Sequence, residues 1–299
     1  MSALQDIVLT LSCPDAPGIV HRVSQVLHEA GCNIVESQQY GDVFEADASG
    51  RFFMRVHVQA LAENDGAAGD VLETLQQRFA PTAQALKMQH SFHALGQRPR
   101  VMLLVSRFGH CLNDLLYRWH NRQLPVDVAC VVSNHPDFEA LARHYGLPWY
   151  HLPLAPGSDH AAKRAQEQRI EALIHDHQVD TVVLARYMQI LSPEFCQVLS
   201  GRAINIHHSF LPSFKGARPY AQAHARGVKI IGATAHYVTT DLDEGPIIEQ
   251  DVERVDHRLT VEDLTAVGRD IECRVLARAL RWHAERRVLI NGQRTVVFR

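Results

Sequence analysis

The chain has 299 residues, of which 46% are hydrophobic and 21% charged, enough apolar material for two packed domains and too much for a disordered chain. Its net charge of -3, with the histidines neutral, argues against a broad basic surface for nucleic acid. Cys13, Cys32, Cys111, Cys130, Cys196 and Cys273 form no C-x-x-C pair, Asp6 interrupts the N-terminus before any signal-like run, and no stretch reaches the ~18 apolar residues that span a bilayer, so a cytoplasmic protein with free thiols and neither membrane nor nucleic-acid partner is expected.

In chain order, "DIVLTLSC" alternates like a strand and "DAPGIV" breaks it. "IVHRVSQVLHEAG" is helical, with Val20, Val23, Leu27 and Ala30 on one stripe and Gly31 as its stop. "NIVESQQY" and "RFFMRVHVQAL" read as strands around a polar turn near residues 47–50. "AGDVLETLQQRFA" is a helix that Pro81 should end, and "QALKMQHSFHAL" is a last strand. The order is βαββαβ, a ferredoxin-like domain over residues 1–95.

"GQRPR" reads as a linker, and after it strands and helices alternate. "RVMLLVS", "VDVACVVS", "DTVVLA" and "AINIHH" are unbroken apolar strands, separated by the helical patterns "HCLNDLLYRWHNRQL", "HPDFEALARHYG", "AAKRAQEQRIEALIHDH" and "SPEFCQVLSG", with a short strand near Trp149–Leu152. Strands of that kind imply a mainly parallel, Rossmann-like sheet covered on both faces. "GATAHYVTT" and "GPIIEQDVE" should add antiparallel strands, "TVEDLTAVGRDIECRVLARALRWHAE" is one long amphipathic helix, and Asn291-Gly292 turns a terminal hairpin. The α/β chain thus divides into residues 1–95 and a second domain over 96–299 that includes this helix and hairpin.

Ligands of parallel α/β sheets bind outside the carboxyl ends of the strands. There stands "INIHHSFLPSF", whose apolar run closes on Asn205, His207 and His208 before Pro212. Asn205 and His207, two residues apart on a strand, share a face, and His208 should point away. A polar strand exit and a working site both fit this stretch taken alone. In "HYVTTDLDEGPII", Asp241, Asp243 and Glu244 crowd one loop, and a carboxylate there can orient His207 and favour its charged form. An amide donor, an imidazole and an acid suffice for attack on a carbonyl.

"INIHHSFLPSFKGARPY" followed by "GATAHYVTTDLDEGPIIEQ" resembles the formyltransferase family that uses 10-formyltetrahydrofolate. The resemblance implies that Asn205, His207 and Asp243 are catalytic, that Met188, Ile190 and Leu191 of "LARYMQIL" line the pterin slot, and that His236 lies close by. Pro212 and the residues after it would shape a wall, with Lys215 and Arg218 either meeting the folate's glutamate tail or standing solvated. "DAPGIVHRVSQVLHEAGCNI" resembles the ACT domain, which implies an amino-acid effector, plausibly glycine or methionine, near Asp15, Gly18, Ile19 and Asn33, and pairing into a homo-oligomer.

An ACT-like domain before a formyltransferase-like one is similar to the family that hydrolyses this folate to tetrahydrofolate and formate, a formate supply for one-carbon and purine metabolism. The loop "VSRFGHCLNDLL" favours water as acceptor: the resemblance implies a glycine- and serine-rich phosphate loop in the ribonucleotide formyltransferases, whereas here Gly109 is the sole glycine beside bulky Arg107, Phe108 and His110, so a close backbone nest is harder to build, although a phosphate could still meet Arg107 and the helix N-terminus. His110 would instead shape a water pocket or stand at the surface. Transfer to an amine such as glycinamide ribonucleotide is the alternative, and a non-catalytic amino-acid and folate sensor is the second. Transfer to RNA is not expected, because the resemblance implies an RNA-facing domain for that reaction where only about one helix and a hairpin follow the aspartate loop, and the net charge gives phosphate contacts little support. No cofactor and no metal are expected: H-E-x-x-H is missing, and zinc on His207, His236 and Asp243 would leave Asn205 without a role.

Overall fold

A computed structural model describes residues 4–42, 50–61, 68–155, 157–211 and 219–299. Two compact units emerge. The first takes residues 1–98 together with 285–289 and 296–299, and the second takes 99–284 together with 290–295.

In the first unit, β1 (Leu4–Pro14), α1 (Ile19–Glu29), β2 (Cys32–Asp42), β3 (Arg51–Leu61), α2 (Ala68–Ala85) and β4 (Gln89–Ala94) follow in βαββαβ order. The strands form an antiparallel sheet in the order β2-β3-β1-β4, with Ile7 opposite Val58 and Leu9 opposite Val56. One face carries Ile7, Leu9, Leu11, Met54, Val56 and Val58, packed with Val23 and Leu27 of α1 and Leu75 and Phe79 of α2. Removing such residues from water drives this layer together at roughly 25 cal/mol per Å². Pro81 does not end α2, which runs to Ala85. Phe79 and Ala83, on either side of it, are both buried in the core, and this packing carries the helix past the missing N–H. Arg55, on the opposite face of β3, is buried. It donates from Nη1 to Glu36 Oε2 at 2.6 Å and from Nη2 to the carbonyl of Glu285 at 3.1 Å.

The second unit holds β5 (Arg100–Val105), α3 (His110–His120), β6 (Asp127–Ser133), α4 (Glu139–His144), β7 (Trp149–His151), α5 (His160–Asp176), β8 (Thr181–Leu184), α6 (Pro193–Val198), β9 (Ala203–His207), α7 (Pro219–Ala225), β10 (Ile230–Tyr237), β11 (Ile247–Arg254) and α8 (Val261–Ala284). Its sheet has the order β11-β10-β9-β8-β5-β6-β7. The five strands from β9 to β7 are parallel, and β10 and β11 extend the sheet antiparallel. Met102, Leu104, Cys130, Val132 and Val182 face a core with Ile170 and Leu173 of α5 and Phe195 of α6. The alternate residues Val101, Leu103, Val131 and Val183 are equally buried on the opposite face. Burial on both sides is why these strands read as continuous apolar runs. The chain leaves β5 toward β6 and β7 and later returns to its other side with β8 and β9, so a switch point opens beyond the carboxyl ends of β5 and β8.

β12 (Val288–Asn291) and β13 (Arg294–Val297) form the terminal hairpin. Among the described residues no helix is long and apolar enough to cross a membrane.

Candidate active site

The carboxyl end of β9 brings Asn205 directly opposite His236 on antiparallel β10. Such cross-strand neighbours lie within reach of each other's side chains: Asn205 Nδ2 is 3.2 Å from His236 Nε2. The other ring nitrogen of His236, Nδ1, donates to the carbonyl of Tyr237 at 2.9 Å, which fixes the ring. Asp243 arrives from the loop after β10. Its Oδ2 is 3.2 Å from His207 Nδ1 and its Oδ1 is 3.7 Å from His236 Nε2. The carboxylate therefore bridges two imidazoles, one on each of two paired strands.

Two backbone features hold it there. Asp243 has φ 57°, the left-handed region that non-glycine residues seldom occupy. A Cβ on Gly245 would come within 1.8 Å of the carbonyl of Tyr237, so only glycine lets the loop fold this closely onto β10. Burial works to raise the Asp243 carboxyl. The hydrogen bonds and charge of His207 and His236 outweigh it and hold the group well below the usual carboxylate range. His207 is buried, and with Nδ1 turned to the acid its Nε2 has no partner among the described residues.

A cavity of about 840 Å³ opens on this constellation, within the ordinary range for a small-molecule site. Asn205, His207, His236 and Asp243 line it together with His110, Met188, Ile190 and Leu191, so every residue singled out for catalysis or substrate binding faces one space. Met188 and Ile190 are 53% and 63% exposed, apolar side chains held open to solvent instead of packed in the core. Their segment is tied to β5: Ser106 N donates to the carbonyl of Arg186 at 3.2 Å, and Met188 N donates to Ser106 Oγ at 2.9 Å. From below, the buried Glu167 of α5 accepts from both N and Oγ of Ser192.

His208 departs from the expectation that it points away. It lines the same cavity, with its ring 5.0 Å from that of His207. Strand pairing ends at His207, so the two-residue alternation no longer governs the next side chain. Burial first, then the charges of Arg186 and His207, press its pKa to about 4, and it stays neutral near pH 7. Pro212, Lys215 and Arg218 lie outside the described residues.

A second cluster closes the cavity from α8. Glu272 is 1% exposed; its Oε2 is 2.8 Å from His110 Nε2, and its Oε1 accepts from the Tyr220 hydroxyl at 2.7 Å. Arg186 Nε stands 3.3 Å from Oε2 as an ion pair without hydrogen-bond alignment. Burial opposes the charge of Glu272, but His110, Arg186 and Tyr220 together still lower its pKa. Sequence reasoning missed this carboxylate. Its signal was its place among Gly268, Ile271, Val275 and Leu276 on the inward stripe of α8, where an acid needs partners. His110, Cys111 and Glu272 bring possible ligand atoms within 4.8 Å of one another. They are a poor metal set, because a hydrogen bond with Cys273 and then burial push the Cys111 thiol well up, and both oxygens of Glu272 are engaged.

In the first unit, Gly18 caps α1 with φ 84° and no side-chain cap. Asp15 and Asn33 are exposed nearby in sequence, whereas Ile19 is buried in the core of the unit.

Comparison with known proteins agrees with this architecture. The family model described as formyl transferase matches residues 99–280, and the ACT domain model matches residues 7–77. A curated formyltetrahydrofolate deformylase from a Corynebacterium species is 48% identical, covering 98% of this chain and 98% of that protein. A solved formyltetrahydrofolate deformylase from Burkholderia mallei is 49% identical with a TM-score of 0.88, covering 99% of this chain and 100% of that one. A solved glycinamide ribonucleotide transformylase from Symbiobacterium toebii is 33% identical with a TM-score of 0.63, and it covers 69% of this chain and 97% of its own. The transformylase likeness thus stops short of the full chain, whereas the deformylase likeness runs from end to end through both domains, and the chain belongs to the formyltetrahydrofolate deformylase family.

Proposed function

We propose that the protein hydrolyses 10-formyltetrahydrofolate to tetrahydrofolate and formate, with Asn205, His207 and Asp243 carrying the reaction. The observation behind the assignment of roles is the wiring of His207, a residue that lines the cavity: one ring nitrogen meets the acid, and the other, buried, has no partner among the described residues. Water attacks the formyl carbon. The amide of Asn205 and Nε2–H of His207 donate to the oxyanion as it forms, in a buried setting where such donors act strongly. Asp243 keeps the ring turned and takes the proton of the attacking water directly or through a second water. The bond from carbon to N10 breaks as N10 takes a proton, and formate leaves. Met188, Ile190 and Leu191 hold the pterin, and His236 and His110 complete the binding walls.

The first unit senses an amino acid, with Asp15, Gly18 and Asn33 near the ligand. The support is α1, whose N-terminus has no side-chain cap, and a helix N-terminus suits a carboxylate. Ile19 would contribute by packing beneath the site, since it is buried. The unit also pairs with its copy in a homo-oligomer, which is consistent with the exposed Ile34, Val35 and Tyr40 on edge strand β2. Division of labour between residues 1–95 and 96–299, action in the cytoplasm, and a place among the reactions that supply one-carbon units complete this reading.

The deciding experiment incubates the protein with 10-formyltetrahydrofolate, with and without glycinamide ribonucleotide, and measures formate and formylated ribonucleotide. Formate release in both arms is expected. Formylated ribonucleotide without formate would establish transfer, the reading favoured by the 33% likeness to a transformylase. Neither product would leave a sensor. Adding glycine or methionine to the same assay tests the effector.

A further inference from the structure

The chemistry assigned to Asn205, His207 and Asp243 needs no second buried carboxylate, yet Glu272 faces the same cavity. Its partners come from three separate parts of the fold: His110 opens α3, Tyr220 sits in α7, and Arg186 follows β8 with φ 66°. Helix α8 is shaped to receive them. One turn before Glu272, a Cβ on Gly268 would lie 2.1 Å from the Tyr220 hydroxyl, so the missing side chain lets that ring lie against the helix and reach the acid. One hydrogen bond per carboxylate oxygen and a neighbouring guanidinium leave the acid little capacity for an incoming ligand.

Any acceptor for the formyl group must share the cavity with the folate. If the apolar slot at Met188 and Ile190 holds the pterin, the Glu272 side is a separate wall of the cavity, and two rings tied to one buried acid stand on it. We propose that this cluster is the specificity device of the site: His110 and Tyr220, pinned by Glu272, plug the space an amine acceptor would need and leave room for water. The inference rests on the hydrolytic reading above. With water, a carbon–oxygen bond forms, the bond to N10 breaks, N10 gains a proton and the formic acid loses one. With a primary amine, a carbon–nitrogen bond forms instead, the amine loses the proton, N10 gains one, and the products are an N-formyl amine and tetrahydrofolate. The plug chooses between two reactions that the same Asn205, His207 and Asp243 can drive.

Hydroxylamine, a small amine that is neutral near pH 7, probes this space. Wild type, His110→Ala and Gly268→Ala are each given 10-formyltetrahydrofolate with and without hydroxylamine, and formate and formohydroxamate are measured. In wild type, formate should dominate in both arms. In either variant the ratio of formohydroxamate to formate should rise about tenfold or more, the discrimination that modest changes of pocket volume produce. Variants that lose both products in equal proportion would overturn the proposal and leave the cluster a support of the fold. Efficient transfer to hydroxylamine by wild type would overturn it without any variant. Wild type releasing no formate in the arm without hydroxylamine would be a failure of the hydrolytic reading, separate from that of the plug.

Discussion

Asp243 reaches two imidazoles only because its backbone turns left-handed at φ 57°, so the position of one acid depends on a conformation that its neighbours must enforce. At this scale the roles separate by substitution. Asn205→Ala removes one donor to the oxyanion and should lower kcat for formate release by roughly 10²–10³; unchanged turnover would dismiss the assignment. Asp243 also shapes the response to acid. Its pKa in the folded chain lies below the ordinary value of 3.8, so between the two values the unfolded chain binds more protons, and stability falls as pH drops through that window. Above 3.8 the contribution is fully present. In urea titrations of the second unit, Asp243→Asn should flatten this acid limb; a limb as steep as wild type would mean that other carboxylates set it.

Elements position these residues to different degrees of tolerance. β9 and β10 deliver Asn205 and His236 by register alone, because paired residues of antiparallel strands must face one another. The β10–β11 connection has no such guarantee and relies on the close approach at Gly245. Gly245→Ala forces the loop off the carbonyl of Tyr237 and shifts Asp243; a misplacement on the order of 1 Å should cost about 10²-fold in kcat. Circular dichroism should show the fold intact, and normal kcat would refute the link. Strand and helix identities were largely legible from periodicity, as in "RVMLLV" and the stripe of α1. α7 was not: seven residues are too few to display a helical period. The end of α2 was misjudged at Pro81 because tertiary packing of Phe79 and Ala83 prevailed over local propensity.

Across the whole molecule, the C-terminal stretch leaves α8 and contributes residues 285–289 and 296–299 to the first unit. There Arg55 donates to the carbonyl of Glu285, and Arg287 Nη1 lies 3.5 Å from Glu36 Oε1. Burying a guanidinium without its partners is unfavourable, so deleting residues 285–299 should destabilise the first unit by on the order of 2–5 kcal/mol. Calorimetry of the truncated chain reads this as a lower melting temperature for that unit; an unmoved transition would show the tail to be dispensable.

Sequence alone determined the two-part architecture and offered an amide, imidazoles and acids at a strand end and a turn, because hydrophobic period, turn residues and strand-end polar residues are local properties written in consecutive positions. Asn205 and His207 stood out for the same reason, whereas the choice of Asp243 among its acidic neighbours and of the apolar stretch at Met188 came from the resemblance to the formyltransferase family. The tertiary structure alone decided that His236 bridges the amide and the acid, that His208 turns into the cavity, and that Glu272 gathers His110, Arg186 and Tyr220. Those partners lie tens of residues apart in the chain, and their meeting follows from strand order and helix packing, which no short window of sequence contains.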